Sequence, residues 1–479
     1  MDNFCNGFVE IYKDVGLKPK GPSGGNNKPS GGYKKRMRKF KYISVQVLLI
    51  LVLFFWDIGS IFSDRKGTHP AQSGEPASIS RKIHNDMSSF EETERMDKII
   101  ASFLKRYKIK GASVAVTKDG RLVYAKGFGY ANQENDEKVE PGHLFRIASI
   151  SKLVTAVAIM HLVEEGKVDL DSKVFGPEGI LNEDDFLTYK DRRIENITIK
   201  HLLQHQAGWS KYYGDPVFMP HVVARKMKVS LPVKSDDVIA YALTRKLSYS
   251  PGTRYSYSNL GYVVLGKIIE NVTGMVYDDY VKLSLLNPLG IWDMQIGRGY
   301  FHEKAANEVK YYQIAGGKEV LAYDSYNYTS RVYGGNDIAL LGAAGGWIAS
   351  PAEVLKLTVA IDGFNSSPDI LMPETIEKMT RSGRSKRNNM IGWKGADGSG
   401  TWWRTGTLSG SSALMVRQNN GINWIIVMNT TTVKKSKIHR ESSRTMFRAV
   451  NTVQRWPEFD LFDQPIPAPL PSNFLTRAK

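Results

Sequence analysis

The sequence predicts an α+β protein, and three observations carry that prediction. Gly111 to Thr117 alternates apolar residues, Lys118-Asp119-Gly120 makes a hairpin turn and Leu122 to Tyr130 returns as a second strand, so strands open the body. Mixed helix and loop text fills roughly 170 to 390. Three strands and a helix then close the chain. A sheet assembled from both ends, with a largely helical insertion between, is α+β architecture.

The elements follow in order. Residues 1–41 form a basic, linker-like arm, Pro/Gly/Ser/Asn-rich from Gly21 to Gly32. This arm holds ten Lys and Arg against three Asp and Glu, so +7 of the formal +17 lies there. The rest is spread over the body with no basic stripe interleaved with aromatics, which argues against nucleic acid as a partner. Residues 42–62 read as a signal peptide or a signal-anchor helix. Ile43 to Trp56 is apolar apart from Ser44 and Gln46, and Lys34, Lys35, Arg36, Arg38, Lys39 and Lys41 precede it. That asymmetry places the body outside the cytoplasm, in the periplasm or at the cell surface. Two readings stay open: an uncleaved segment that holds the membrane, or a cleaved signal beginning at Met37. Residues 63–91 read as a polar tether, and 92–479 as the folded domain.

Within that domain, a helix is expected from Glu92 through Arg106. Ser149 to Glu165 carries apolar residues at Leu153, Val154, Val157, Ala158, Met160 and Leu162, a helical pattern that ends before Gly166. Further helices are expected over Ile199 to His205 and Leu260 to Val272. Strands are expected over Trp402 to Gly406, Ser411 to Arg417 and Ile422 to Met428, with Asn419-Asn420-Gly421 turning the last pair. A final helix runs from about Ser436 to Gln454.

The single cysteine, Cys5, lies in the arm. The body therefore has no disulfide, cysteine nucleophile or cysteine-based zinc site. No metal is expected, and no cofactor is implied. His205 reads as a structural histidine.

The chemistry begins at Ser149-Ile150-Ser151-Lys152. A helix brings positions i and i+3 to one face. The Lys152 ammonium then reaches the Ser149 oxygen and helps remove or hold its proton. By itself this spacing also fits an N-cap serine beside a surface lysine. Ser151 has no lysine three residues on. A second element is Tyr257-Ser258-Asn259, inside Pro251-Gly252-Thr253-Arg254-Tyr255-Ser256 and before Leu260-Gly261-Tyr262. Its bland reading is an aromatic loop packed at a domain boundary. A third is Arg404-Thr405-Gly406-Thr407, in a run that reads as a strand.

Ser-x-x-Lys, Tyr-x-Asn and a basic-Thr-Gly triplet, in that order, resemble the serine β-lactamase and penicillin-binding-protein superfamily. The likeness is to its class C β-lactamase and D-alanyl-D-alanine carboxypeptidase branch. Gly127-Phe128-Gly129-Tyr130-Ala131-Asn132, Leu202-Leu203-Gln204-His205-Gln206-Ala207-Gly208 and Gly342-Ala343-Ala344-Gly345-Gly346-Trp347 extend it. The resemblance implies an antiparallel sheet flanked by helices, beside a helical subdomain, with the site in the cleft between. It implies that Ser149 is the nucleophile, Lys152 its proton-network partner and Tyr257 the base or proton shuttle. Asn259 would hold Lys152 and bind a substrate amide. Arg404, Thr405, Gly406 and Thr407 would line the substrate, with the N–H groups of Ser149 and Thr407 forming an oxyanion hole. The family usually has Lys or His where this chain has Arg404. Arginine stays charged and suits a substrate carboxylate.

The implied activity is acyl-enzyme hydrolysis of a D-amino-acid peptide or a β-lactam. Two alternatives stand beside it: an esterase or amidase on the same residues, and a catalytically inactive relative that only binds. A small molecule or peptide is the expected substrate. The sequence assigns no oligomeric state.

Overall fold

The structure is a computed structural model that describes residues 83–463, except 314–316, 382–389 and 432–434. The expectations for the arm and for the hydrophobic segment at 42–62 lie outside the described residues. Among the described residues, no helix is long and apolar enough to cross a membrane.

Residues 83–90, read above as the end of the tether, instead pack on the body. Ile83 and Ser88 are buried. Asn85 donates to the Val139 carbonyl and to Glu140, and accepts from the Gly127 N–H. Polar, turn-forming residues hid this contact, because the partners lie about forty to fifty-five positions away.

Helix α1 (Glu91–Tyr107) has Glu91, Glu92 and Glu94 in its first turn and Lys105 and Arg106 in its last, the arrangement that the helix dipole favours. It stops at Lys108 in the left-handed region. Strands β1 (Gly111–Lys118) and β2 (Arg121–Asn132) follow, then the short β3 (Glu137–Lys138). The far end of the chain contributes β4 (Gly395–Ala396), β5 (Trp402–Leu408), β6 (Ser411–Arg417) and β7 (Ile422–Met428). Together they form one antiparallel sheet in the order β3-β2-β1-β7-β6-β5-β4. Strand β1 joins the two ends of the chain, with Val114 opposite Ile426 and Val116 opposite Trp424.

Both faces of the sheet are buried, and strand alternation sorts the residues between them. Val114, Val116, Trp424, Ile426 and Met428 pack with Met96, Ile100 and Phe103 of α1 and with Met446, Ala449 and Val450. The last three belong to the closing helix α7 (Lys435–Val450), four residues shorter at its end than expected. Ala115, Met415, Ile425 and Val427 face the helical region.

That region is centred on α2 (Ser151–Glu164), which is apolar nearly all round and buried on every side from Ser151 to Met160. Around it lie α3 (Ile199–Leu203), capped by Thr198, and α4 (Leu260–Thr273). So do α5 (Ile338–Gly345) and α6 (Pro351–Val359), the latter capped by Ser350. The helix expected to reach His205 ends at Leu203, because His205 turns left-handed at φ 57°.

Candidate active site

Ser149 does not begin α2. It sits in a tight turn, Ala148–Ile150, that runs into the helix, with the Ile150 N–H donating to the Ile147 carbonyl. Ala148 is held at φ 50°, a left-handed conformation that costs a non-glycine residue about 1–2 kcal/mol. One turn on, Lys152 is fully buried.

The structure brings the first two motifs together across 108 positions. Ser149 Oγ and Tyr257 Oη are 2.6 Å apart. Lys152 Nζ donates to Asn259 Oδ1 at 2.7 Å and to the Ala344 carbonyl in α5. It also lies 5.0 Å from the Tyr257 ring centre. Asn259 is oriented by Asp215, whose Oδ2 accepts from the Asn259 backbone N–H at 2.9 Å and side-chain N–H at 3.0 Å.

The third motif approaches from β5. Past Trp403 this strand has no partner strand on its outer edge among the described residues, and that edge runs beside the Ser149 turn. A Cβ on Gly406 would stand 2.1 Å from the Ile147 carbonyl oxygen, so only glycine fits there. Arg404 is turned inward and 3% exposed. Its Nε donates to the Ser149 carbonyl at 2.8 Å. The side chain thus braces the Ser149 turn through Nε, while its buried Nη2 has no partner among the described residues. Thr405 Oγ1 accepts from Lys394 Nζ at 2.6 Å. Thr407 is exposed, with Oγ1 3.3 Å from His439 Nε2, and the same nitrogen lies 3.1 Å from the Gly406 carbonyl.

Electrostatics follow from this packing. Burial pushes the Tyr257 phenol up, but Lys152 and Arg404 nearby, with the Ser149 hydrogen bond, bring it below its ordinary value to about 8. Burial holds the Lys152 ammonium below the usual lysine range, and Arg404 adds to this while Tyr257 opposes it. Lys394 is lowered for the same first reason, burial, and by Arg404. A half-buried serine–tyrosine contact flanked by two cations is an arrangement that can move a proton off the serine.

His205 is buried beneath Tyr257, with ring centres 4.5 Å apart. Its carbonyl accepts from the Ser256 N–H at 2.8 Å and its Nδ1 from the Ser258 N–H at 3.3 Å. Burial first, then Arg404 and Lys152, hold its imidazole well below the ordinary histidine value. A neutral ring suits the acceptor role at Nδ1.

Sequence reasoning missed Asp215, Lys394 and His439. Asp215 carried one local signal, since it precedes Pro216 and caps the short turn Pro216–Phe218. Lys394 and His439 carried none. Lys394 reaches Thr405 because its N–H pairs with the Trp403 carbonyl, and His439 depends on how α7 crosses β5.

Residues 96–446, well over half of the chain, match the family model described as Beta-lactamase. Protein flp of Staphylococcus aureus (strain N315) is 25% identical over 373 residues, 75% of this chain and 68% of that protein. Among solved structures, the octameric penicillin-binding protein homologue from Pyrococcus abyssi is 27% identical, with a TM-score of 0.56, over 74% of this chain and 77% of that one. The D-amino acid amidase from Ochrobactrum anthropi SV3, at 22% identity and a TM-score of 0.59, covers 76% of this chain and 100% of its own and shares the fold. The chain belongs to the β-lactamase family, and its fold is that of the serine β-lactamases and penicillin-binding proteins.

Proposed function

We propose that this protein is a serine hydrolase that works through an acyl-enzyme on Ser149, with a D-amino-acid peptide or a β-lactam as substrate. The observation that carries this reading is the 2.6 Å contact between Ser149 Oγ and Tyr257 Oη, beside the buried ammonium of Lys152. Tyr257, as phenolate, takes the serine proton as Oγ bonds to the substrate carbonyl carbon. Lys152 and Arg404 favour the phenolate. The backbone N–H groups of Ser149 and Thr407, on facing edges, hold the developing oxyanion, and such donors are each worth about 3–4 kcal/mol. The carbon–leaving-group bond then breaks, and the leaving group takes the proton from Tyr257. Water repeats the sequence and releases Ser149.

The supporting likenesses include a D-amino acid amidase and a penicillin-binding protein homologue. The hydrophobic segment at 42–62 and the cations before it support export, with the segment either anchoring the protein or cleaved from it. Cell fractionation should then find the body outside the cytoplasm, either with the membrane or free of it.

Intact mass after incubation with a fluorophosphonate tests the central claim. One adduct on the wild type and none on Ser149→Ala is the expected result. A folded wild type that takes no adduct would favour a relative that only binds. An adduct from a nitrophenyl ester with none from any penicillin would favour an esterase or amidase.

A further inference from the structure

A small pocket opens beside Tyr257, with Tyr257 itself in the wall. Lys211 enters this wall from the turn Lys211–Tyr213, and Arg245 and Lys246 from the segment after the helix Ser235–Leu243. Among the described residues none of the three is in an ion pair. Lys211 Nζ lies 4.5 Å over the Tyr257 ring. Arg245 Nη1 reaches only neutral acceptors, the Tyr213 carbonyl and the Tyr241 hydroxyl, each at a long 3.4 Å. The one carboxylate in the wall, Asp215, already accepts from both N–H groups of Asn259 and from the Val217 N–H. Trp209 also lines the cavity, and its buried Nε1–H has no partner among the described residues.

Unpaired cations on an open surface are ordinary and are screened by salt. These three converge on one concave wall that ends at the proposed base. The wall offers positive charge and free donors, and its only acid is engaged. We infer that this pocket is an anion subsite, which selects substrates whose acyl chain ends in a carboxylate. The inference rests on the serine-hydrolase reading above and names its substrate class more closely.

The test uses the full chain and two esters, mono-4-nitrophenyl adipate and 4-nitrophenyl hexanoate. Their acyl chains are equally long and end in a carboxylate or a methyl. The ratio of kcat/KM for adipate over hexanoate should be about tenfold to a hundredfold, the worth of one charge-assisted hydrogen bond. It should fall toward one as salt is raised. Arg245→Met with Lys246→Met should lower the ratio about tenfold. Lys246→Met alone, at an exposed side chain, should lower it in the same direction and guards against misfolding of the double variant.

A fluorophosphonate adduct on Ser149 is read in parallel. Equal rates, a preference for hexanoate, or no acylation by the adipate, with Ser149 still labelled, would overturn the subsite and leave the hydrolase reading standing. A ratio that survives both substitutions would overturn it too. Loss of labelling on the folded wild type would remove the hydrolase reading and the subsite with it.

Discussion

Asp215 accepts both N–H groups of Asn259 on a single carboxylate oxygen, and so turns the amide carbonyl of Asn259 toward Lys152. Without it the amide is free to rotate and present N–H to the ammonium. Asp215→Ala should lower kcat at least about tenfold and cost about 1.5–3 kcal/mol in urea unfolding, as hydrogen bonds to a charged group do. Asp215→Asn keeps an acceptor and should retain more of both. Equal kcat in all three proteins would show that Asn259 is held by other contacts.

The phenol of Tyr257, lowered to about 8, sets a pH dependence. Its base form is the unprotonated one. Acylation of Ser149 should therefore rise about tenfold per pH unit up to near 8 and then level off. Tyr257→Phe should lose about a hundredfold to ten-thousandfold in kcat/KM and lose this limb of the profile. Stopped-flow acylation across pH 5–9 provides the measurement. An unshifted limb in the Phe variant would assign the base elsewhere.

Gly406 is the point where β5 touches the Ser149 turn. Gly406→Ala places a methyl 2.1 Å from the Ile147 carbonyl oxygen, so strand or turn must move. A loss of about 1–3 kcal/mol is expected, the usual cost of overpacking. Fluorophosphonate labelling should slow with it, since the Thr407 N–H moves away from Ser149. Labelling at the wild-type rate would argue against an oxyanion role for this edge.

His205 clamps the residues on both sides of Tyr257 through its carbonyl and Nδ1. His205→Ala keeps the first contact and loses the second along with the ring beneath Tyr257. It should slow acylation about tenfold and move the pH limb, which a purely structural loss would leave in place. His205→Asn tolerates the left-handed backbone and offers an acceptor, so it should recover part of the rate. Pairing thermal melts with the pH profiles separates the two effects.

Much of the frame was legible because its signals are local. The β1–β2 and β6–β7 hairpins showed a glycine turn, and β1 its alternation. Helix α2 showed its apolar spacing. Ser149 and Lys152 stood out because three residues make one helical turn. Less legible were the packing of Ile83 and Asn85 on the body, the turn that replaces the first residues of α2, and the early end of α3 at His205. Each depends on a contact or a backbone conformation that no short window contains.

By itself the sequence determined the fold class, the order of the three motifs and the candidate identities of Ser149, Lys152, Tyr257 and Asn259. Those follow from periodicity, spacing and motif likeness, which the chain carries in one dimension. Only the tertiary structure decided which way Arg404 faces, that Asp215 orients Asn259, and that Lys394 and His439 stand against the third motif. Direction and partnership across tens to hundreds of positions are set by how β5 lies along the Ser149 turn and how α7 crosses the sheet. Packing of the whole core determines both, and no local run of residues encodes them.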